Sequence, residues 1–182
     1  ADADPAPHTT KNFPFSPAGG AMLLAHTEDD RGFLRFETRT YPEYAALFEG
    51  RLHFDPHAGL LHRGRNVVEI YEAPAFAERA VELRAALARE VLDEAGWPPE
   101  SVDLVIASQY PPGFGRDVAL ALGTPTQRVP EPHRALARAH TAGPIAALEA
   151  AFENRRFVRA KRTWFVTVGA LINVSAALYR SR

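Results

Sequence analysis

Val102-Asp103-Leu104-Val105-Ile106-Ala107-Ser108-Gln109, followed by Tyr110-Pro111-Pro112-Gly113-Phe114-Gly115-Arg116, is the stretch whose reading decides the fold. Val102 to Ala107 is short and strongly apolar, which predicts a buried strand rather than a helix. The prolines and glycines after it break the chain direction and mark a turn. Asp117 to Leu122 then reads as a helix with Gly123 as its C-terminal cap. A buried strand running through a turn into a helix is the repeating piece of an α/β sheet.

Working outward, Pro74 begins a longer helix. Phe76, Ala80, Leu83, Leu87, Val91 and Leu92 fall at three- and four-residue steps and so share one face. Gly96 and Pro98-Pro99 end it. Downstream, Ile145 to Phe152 belongs to a third helix and Thr163 to Val168 is another buried strand. A Gly-Ala step leads into a last apolar run, Ile172 to Tyr179. Upstream, Ser16-Pro17-Ala18-Gly19-Gly20 is a turn cluster feeding Ala21 to Ala25, which reads as a strand. Phe33 to Thr38 alternates apolar with polar and is expected to form a hairpin with it. Tyr41 to Glu72 is the least regular stretch and reads as a long surface excursion. Ala1 to Pro14 is an irregular lead-in, and 15–182 reads as one folded unit. The expected class is α/β, a mixed sheet layered with helices.

Composition bounds the function. The chain has 182 residues with 46% hydrophobic and 24% charged, enough for a packed core. A net charge of −1 offers nothing to a phosphate backbone, so nucleic acid is not an expected partner. No apolar run reaches the length of a membrane span, and Ala1 to Lys11 is not an intact signal peptide. A cytoplasmic location is expected. The sequence lacks an initiator Met, so it reads as processed, trimmed, or a piece of something longer. With no cysteine it holds neither a disulfide, nor a thiolate zinc site, nor a thiol nucleophile.

Motifs in this order resemble the C-terminal half of β-ketoacyl-ACP synthase III, in the thiolase superfamily. Phe15 to Leu24 is similar to that family's Gly-rich turn and following strand. Leu104-Val105-Ile106-Ala107-Ser108-Gln109 stands where the family has a strand ending in Pro-His-Gln. Asp117 to Pro125, ending in Leu122-Gly123-Thr124-Pro125, resembles the next helix and Leu-Gly turn. Gly169 to Leu178 resembles the glycine-rich turn into the final strand. Ala107 to Gly123 fits without a gap. The resemblance implies a thiolase-like C-terminal lobe. The family's N-terminal half, with its cysteine, has no counterpart in these residues.

The family catalyses with a Cys, a His and an Asn. Here the resemblance puts Ser108 at the His position, with Gln109 retained beside it. Serine can donate a hydrogen bond but is no base near neutral pH without help. Ser108 therefore reads either as an oxyanion donor or as a plain strand-end serine. The Asn position falls on Arg138 by gapless count, or on His140 after a two-residue slip. His140 can donate to an oxyanion or act as a base. The alternative is a partly buried histidine bonded to a neighbouring carbonyl. The resemblance thus gives Ser108 and His140 as candidate catalytic residues. Gln109, Phe114, Arg116, Arg138 and Asn173 are the candidates for substrate binding. Coenzyme A or phosphopantetheine would enter as part of the substrate, and no separate cofactor is expected. The partners it implies are an N-terminal half or a cysteine-bearing chain, an acyl carrier protein or acyl-CoA, and a dimeric assembly.

Two further clusters call for weighing. His53, Asp55, His57 and His62 have spacings that suit a metal, but no regular structure is expected beneath them, and solvated histidines are the expectation. Arg155-Arg156, Arg159 and Lys161-Arg162 could meet phosphate, but they read first as a solvated helix end. Two functions remain open: one lobe of an acyltransferase or condensing enzyme, or a catalytically inert thiolase-fold subunit that supports an active partner.

Overall fold

The computed structural model describes residues 15–16, 18–53, 67–170 and 172–181. The lead-in Ala1 to Pro14 lies outside the described residues, as do Asp55, His57 and His62. Of His53 only the backbone is described. Among the described residues no group of acids and histidines is placed to hold a metal.

A four-stranded mixed sheet runs in the order β1-β6-β5-β4. Its strands are β1 (Gly32–Thr40), β4 (Leu104–Ala107), β5 (Arg162–Gly169) and β6 (Asn173–Arg180). The apolar run read as a buried strand is β4, and it pairs in parallel with β5, from Leu104 opposite Thr163 to Ala107 opposite Val166. β5 turns back into β6 as an antiparallel pair, and β6 pairs antiparallel with β1. A bulge between Phe33 and Arg35 interrupts the β1 register.

The two faces of β4 explain the layering. Val105 and Ala107 enter one apolar cluster, Leu104 and Ile106 another. This alternation puts helices on both sides. On the first side lie α1 (Phe76–Glu94) and α2 (Phe114–Leu122). Phe76, Leu87, Val91, Leu92, Phe114 and Val118 pack there against Trp164, Val166, Val174 and Leu178. On the second side lie α3 (Gly143–Glu153) and the short α4 (Arg156–Arg159). Ala147, Leu148 and Ala151 meet Leu104 and Ile106 there. Each fully buried Leu or Phe of this kind stabilises by about 1.5–3 kcal/mol over its exposed state.

α2 begins at Phe114, three residues before the expected Asp117. The left-handed Gly113 (φ 82°) redirects the chain straight after Pro111-Pro112, so the turn is shorter than its composition implied. Gly115 lets the helix lie on the strand end: a Cβ there would stand 2.8 Å from Ala107 Cβ and 3.0 Å from Val129 Cγ1.

Three expectations need correction. The run Ala21 to Ala25 is not a strand and forms no hairpin with β1. It has no pairing strand among the described residues, and Met22, Leu23 and Leu24 are 43%, 97% and 62% exposed. β1 takes β6 as its partner instead. The excursion Tyr41 to Glu72 is more regular than expected. It holds a short 3-10 turn (Pro42–Leu47) and an antiparallel ribbon of β2 (Phe48–His53) with β3 (Val67–Glu72). Cross-strand pairing ordered a segment whose composition carries no clean alternation. Finally, the basic run is not a simple helix end. It turns at Arg155 (φ 54°) and contains α4.

Candidate functional site

Ser108 follows β4 directly, at the carboxyl end of a parallel strand, where open α/β sheets place ligands. Its N–H donates to Val166 O at 3.0 Å, which extends the β4–β5 pairing by one step. Its Oγ accepts from the Val168 N–H at 3.0 Å. Two helices start beside it. Gly115, at the head of α2, presses on Ala107, and Gly143, at the head of α3, presses on Gln109, where an added Cβ would lie 3.2 Å from the Gln109 backbone N.

His140 stands in the turn that leads into α3. Its carbonyl accepts from the Gly143 N–H at 3.2 Å. The fold brings Ser108 and His140 together: both line one cleft, with Tyr110, Gly169 and Ala170 as other walls. That cleft holds only about 10 Å³. Aromatic rings fill the rest of it. Phe15 lies 4.4 Å from the His140 ring and 5.0 Å from the Tyr110 ring, centre to centre. Phe48 and Phe76 stack behind them at 4.9 Å. Next to Phe15, the Ser16 N–H donates to Arg138 O at 3.1 Å, which ties this segment to the turn that carries His140.

Tyr110 is the site residue that sequence reasoning did not single out. Its hydroxyl donates to Glu72 Oε2, at the end of β3. Burial first, and this bond second, push the phenol above its ordinary pKa. Nothing in the sequence links Glu72 to Tyr110, because the ribbon that carries Glu72 was not foreseen.

A second cavity, of about 170 Å³, also has Ser108 in its wall. Gln109, Phe114 and Arg116 line it, together with Val129, Pro130 and Glu131. So three of the candidate substrate-binding residues share a wall with Ser108. The Gln109 side-chain amide donates to Ala107 O at 2.9 Å. Arg116 pairs with Glu131 at the mouth. The other two candidates stand apart from this cavity. Arg138 is exposed beside Tyr110, on whose phenol its charge acts. Asn173 begins β6 and gives its amide to Thr40 Oγ1 at 2.8 Å.

The second side of the sheet is covered over β4, β5 and part of β6, where Phe157 of α4 packs on Tyr179 at 5.3 Å, and it is open along β1. Phe33, Leu34 and Phe36 of β1 are 42%, 39% and 69% exposed. Beside them a groove of about 650 Å³ runs between the 18–24 segment, α3 and the sheet. Ile145, Leu148, Phe152, Phe165 and Tyr179 line it. Among the described residues no helix is long and apolar enough to cross a membrane.

Neither a known protein family nor a curated protein matches the sequence. Solved structures do match in fold. The 3-oxoacyl-(acyl carrier protein) synthase III of Aquifex aeolicus matches with TM-score 0.69 and 22% identity, over 86% of this chain and 46% of that one. The synthase III of Pseudomonas aeruginosa matches with TM-score 0.71 and 18% identity over the same shares, 86% and 46%. A variant of Xanthomonas campestris OleA, with bound lauric acid and lauroyl-CoA, gives 0.62 and 16%, over 82% of this chain and 40% of that one. This chain thus spans less than half the length of these structures, and it has the thiolase-like α/β fold of about half a synthase III molecule.

Proposed function

We propose that this chain is one lobe of a synthase III-like acyltransferase or condensing enzyme. It acts in the cytoplasm on thioesters of coenzyme A or an acyl carrier protein. The observation that carries the reading is the meeting of Ser108 and His140 at the carboxyl end of β4, in a fold shared with half of a synthase III. The lobe holds no cysteine, so the nucleophile comes from a second, cysteine-bearing lobe. The part of the sheet left open along β1 and the apolar groove are where that lobe docks. Ser108 Oγ–H donates to the oxyanion that forms when the thioester carbonyl is attacked. His140 donates a second hydrogen bond or moves the proton of the acceptor. With serine at the family's histidine position, acyl transfer to an alcohol, amine or thiol suits this pair better than decarboxylative condensation.

A second reading rests on a specific observation: the cleft between the two residues is filled with rings and holds about 10 Å³. A lobe whose site stays filled serves as an inert subunit that shapes an active partner.

Co-expression with a cysteine-bearing thiolase-fold lobe, followed by release of free coenzyme A from acetyl-CoA, separates the two. The enzyme reading expects Ser108→Ala and His140→Ala each to lower turnover by about 100-fold, the size of a lost oxyanion donor. Turnover unchanged in the double variant, with the complex intact, would establish the inert subunit and remove these residues from the chemistry.

A further inference from the structure

Arg84 is the residue that packing alone does not account for. It lies in the middle of α1 and is 1% exposed. None of its guanidinium nitrogens has a hydrogen-bond partner among the described residues. Burial drives its pKa well below the ordinary arginine value. What it does have is a ring: its guanidinium carbon stands 3.9 Å from the centre of Phe114. A buried cation without a counter-ion is among the costliest groups a core can hold, and a methionine would fill the same space.

Phe114 is the first residue of α2 and a wall of the 170 Å³ cavity beside Ser108. Ser108 is 5% exposed, and its Oγ accepts from Val168. Its hydroxyl proton goes to no acceptor among the described residues, so it is available to a ligand. The head of α2, Gly113 to Arg116, lines the same cavity. At the mouth Arg116 and Glu131 pair and cancel. Asp117, in the first turn of α2, is exposed and does not line the cavity. The Asp117 carboxylate nevertheless stands at the head of α2, its Oδ2 3.8 Å from where a Gly113 Cβ would be, and offsets part of the positive end of this nine-residue helix, so the positive sign of the interior rests mainly on Arg84.

We propose that this cavity binds a small oxyanion, a carboxylate or a phosphate. Ser108 donates a hydrogen bond to it, while Arg84 and the head of α2 supply the positive field across the Phe114 wall. A charge in the interior is weakly screened by salt, so it acts beyond direct contact. A cavity of about 170 Å³ has room for an anion of acetate or phosphate size. This assignment does not depend on acyl transfer, because it concerns equilibrium binding alone.

Thermal unfolding of the chain, titrated with sodium acetate or sodium phosphate against sodium chloride at matched ionic strength, tests it. The parent chain is expected to show a saturable rise in Tm with acetate, phosphate or both. A response to one alone names the ligand class. Arg84→Met is expected to unfold at a higher temperature than the parent and yet to bind the anion at least about tenfold more weakly. Ser108→Ala is expected to weaken binding several-fold and also to lower the baseline Tm, because the Val168 N–H loses its acceptor; the affinity from its own titration carries the test if Arg84→Met does not fold. A parent chain with no saturable response overturns the assignment, and so does unchanged affinity in Arg84→Met or Ser108→Ala.

Discussion

The two faces of the central sheet are built to different standards. On the α1–α2 side, Val105, Trp164, Val166, Val174 and Leu178 are each at most 1% exposed, and the helices that cover them are sealed in turn. Arg35 and Arg39 of β1 reach α1 on this side, pairing with Glu94 and Glu90. On the α3–α4 side, the cover reaches β6, where Phe157 packs on Tyr179, and stops short of β1. Phe36 of the edge strand β1 stands 69% exposed, opposite the buried Ala177. The first face is a finished core. The second is left open along β1, and the apolar 18–24 segment lies along the gap. The open side is the one with apolar surface left to bury, which is why the proposed second lobe is placed there.

The strongest way to break this contrast is to damage the sealed face. Leu87 is 1% exposed within the α1–α2 cluster. Leu87→Ala removes side-chain volume where neighbours have little room to collapse, and a loss of about 2–5 kcal/mol is expected in urea unfolding. A loss below about 1 kcal/mol would show that the face is loosely packed and that the contrast is overdrawn.

The sealed face also contains its own exception. Arg84→Met should stabilise the chain, because it removes an uncompensated buried charge. The effective desolvation penalty of such a charge is several kcal/mol, and the Phe114 ring returns about 2 kcal/mol of it. The net gain is expected to be on the order of 1–3 kcal/mol, a rise in Tm of roughly 2–4 °C per kcal/mol for a chain of this size. Destabilisation would mean that Arg84 is compensated after all.

How much of this was legible beforehand depends on where the information sits. β4, β5, β6 and α1 announce themselves through local patterns, because their partners lie within the chain and their burial is complete. Ala21 to Ala25 has the same apolar signature as a strand, but a strand also needs a neighbour to pair with, and composition says nothing about whether one exists. The ribbon of β2 and β3 failed for the opposite reason: cross-strand contacts ordered what local sequence left vague. At the candidate site, Ser108 and His140 were both named through the resemblance of their neighbours to the family's motifs, and the fold brings the two to one cleft. Tyr110 was missed because its partner, Glu72, is brought to it only by the ribbon. Arg84 could have been found. It falls four residues after Ala80 and eight after Phe76, on the buried stripe of α1, and a charge there is a conflict visible in sequence.

Tyr110 lies at the seam between the sealed cluster and the filled cleft, and it adds a pH signature. Its folded pKa stands above the ordinary phenol value, mainly through burial and then through the Glu72 bond. The fold therefore favours the neutral phenol. Its contribution is complete below the unfolded value, near 10, and is lost as pH rises through and beyond it toward the folded value. Stability is expected to fall as pH rises above about 10, and Tyr110→Phe should flatten that fall. The same slope in parent and variant would remove Tyr110 from the balance.

The smallest effect on stability is the most telling one. Phe36 is a large apolar side chain on a strand, and if the open face were a finished surface its ring would belong to the fold. The register places it on the uncovered side of β1, opposite Ala177, and its 69% exposure means that folding of this chain hides little of it. Phe36→Ser should therefore change the stability of the isolated chain by no more than about 0.5 kcal/mol, the range of ordinary surface substitutions. The same substitution puts a hydroxyl where a docking lobe would bury a ring. In a complex with a cysteine-bearing lobe it should weaken association by about tenfold or more, as loss of a buried aromatic anchor does. Sedimentation of the mixed chains reads the second effect, and urea unfolding of the lone chain reads the first. A stability loss comparable to that of Leu87→Ala would show that the second face is closed within this chain, and a neutral result in both measurements would move the partner to another surface.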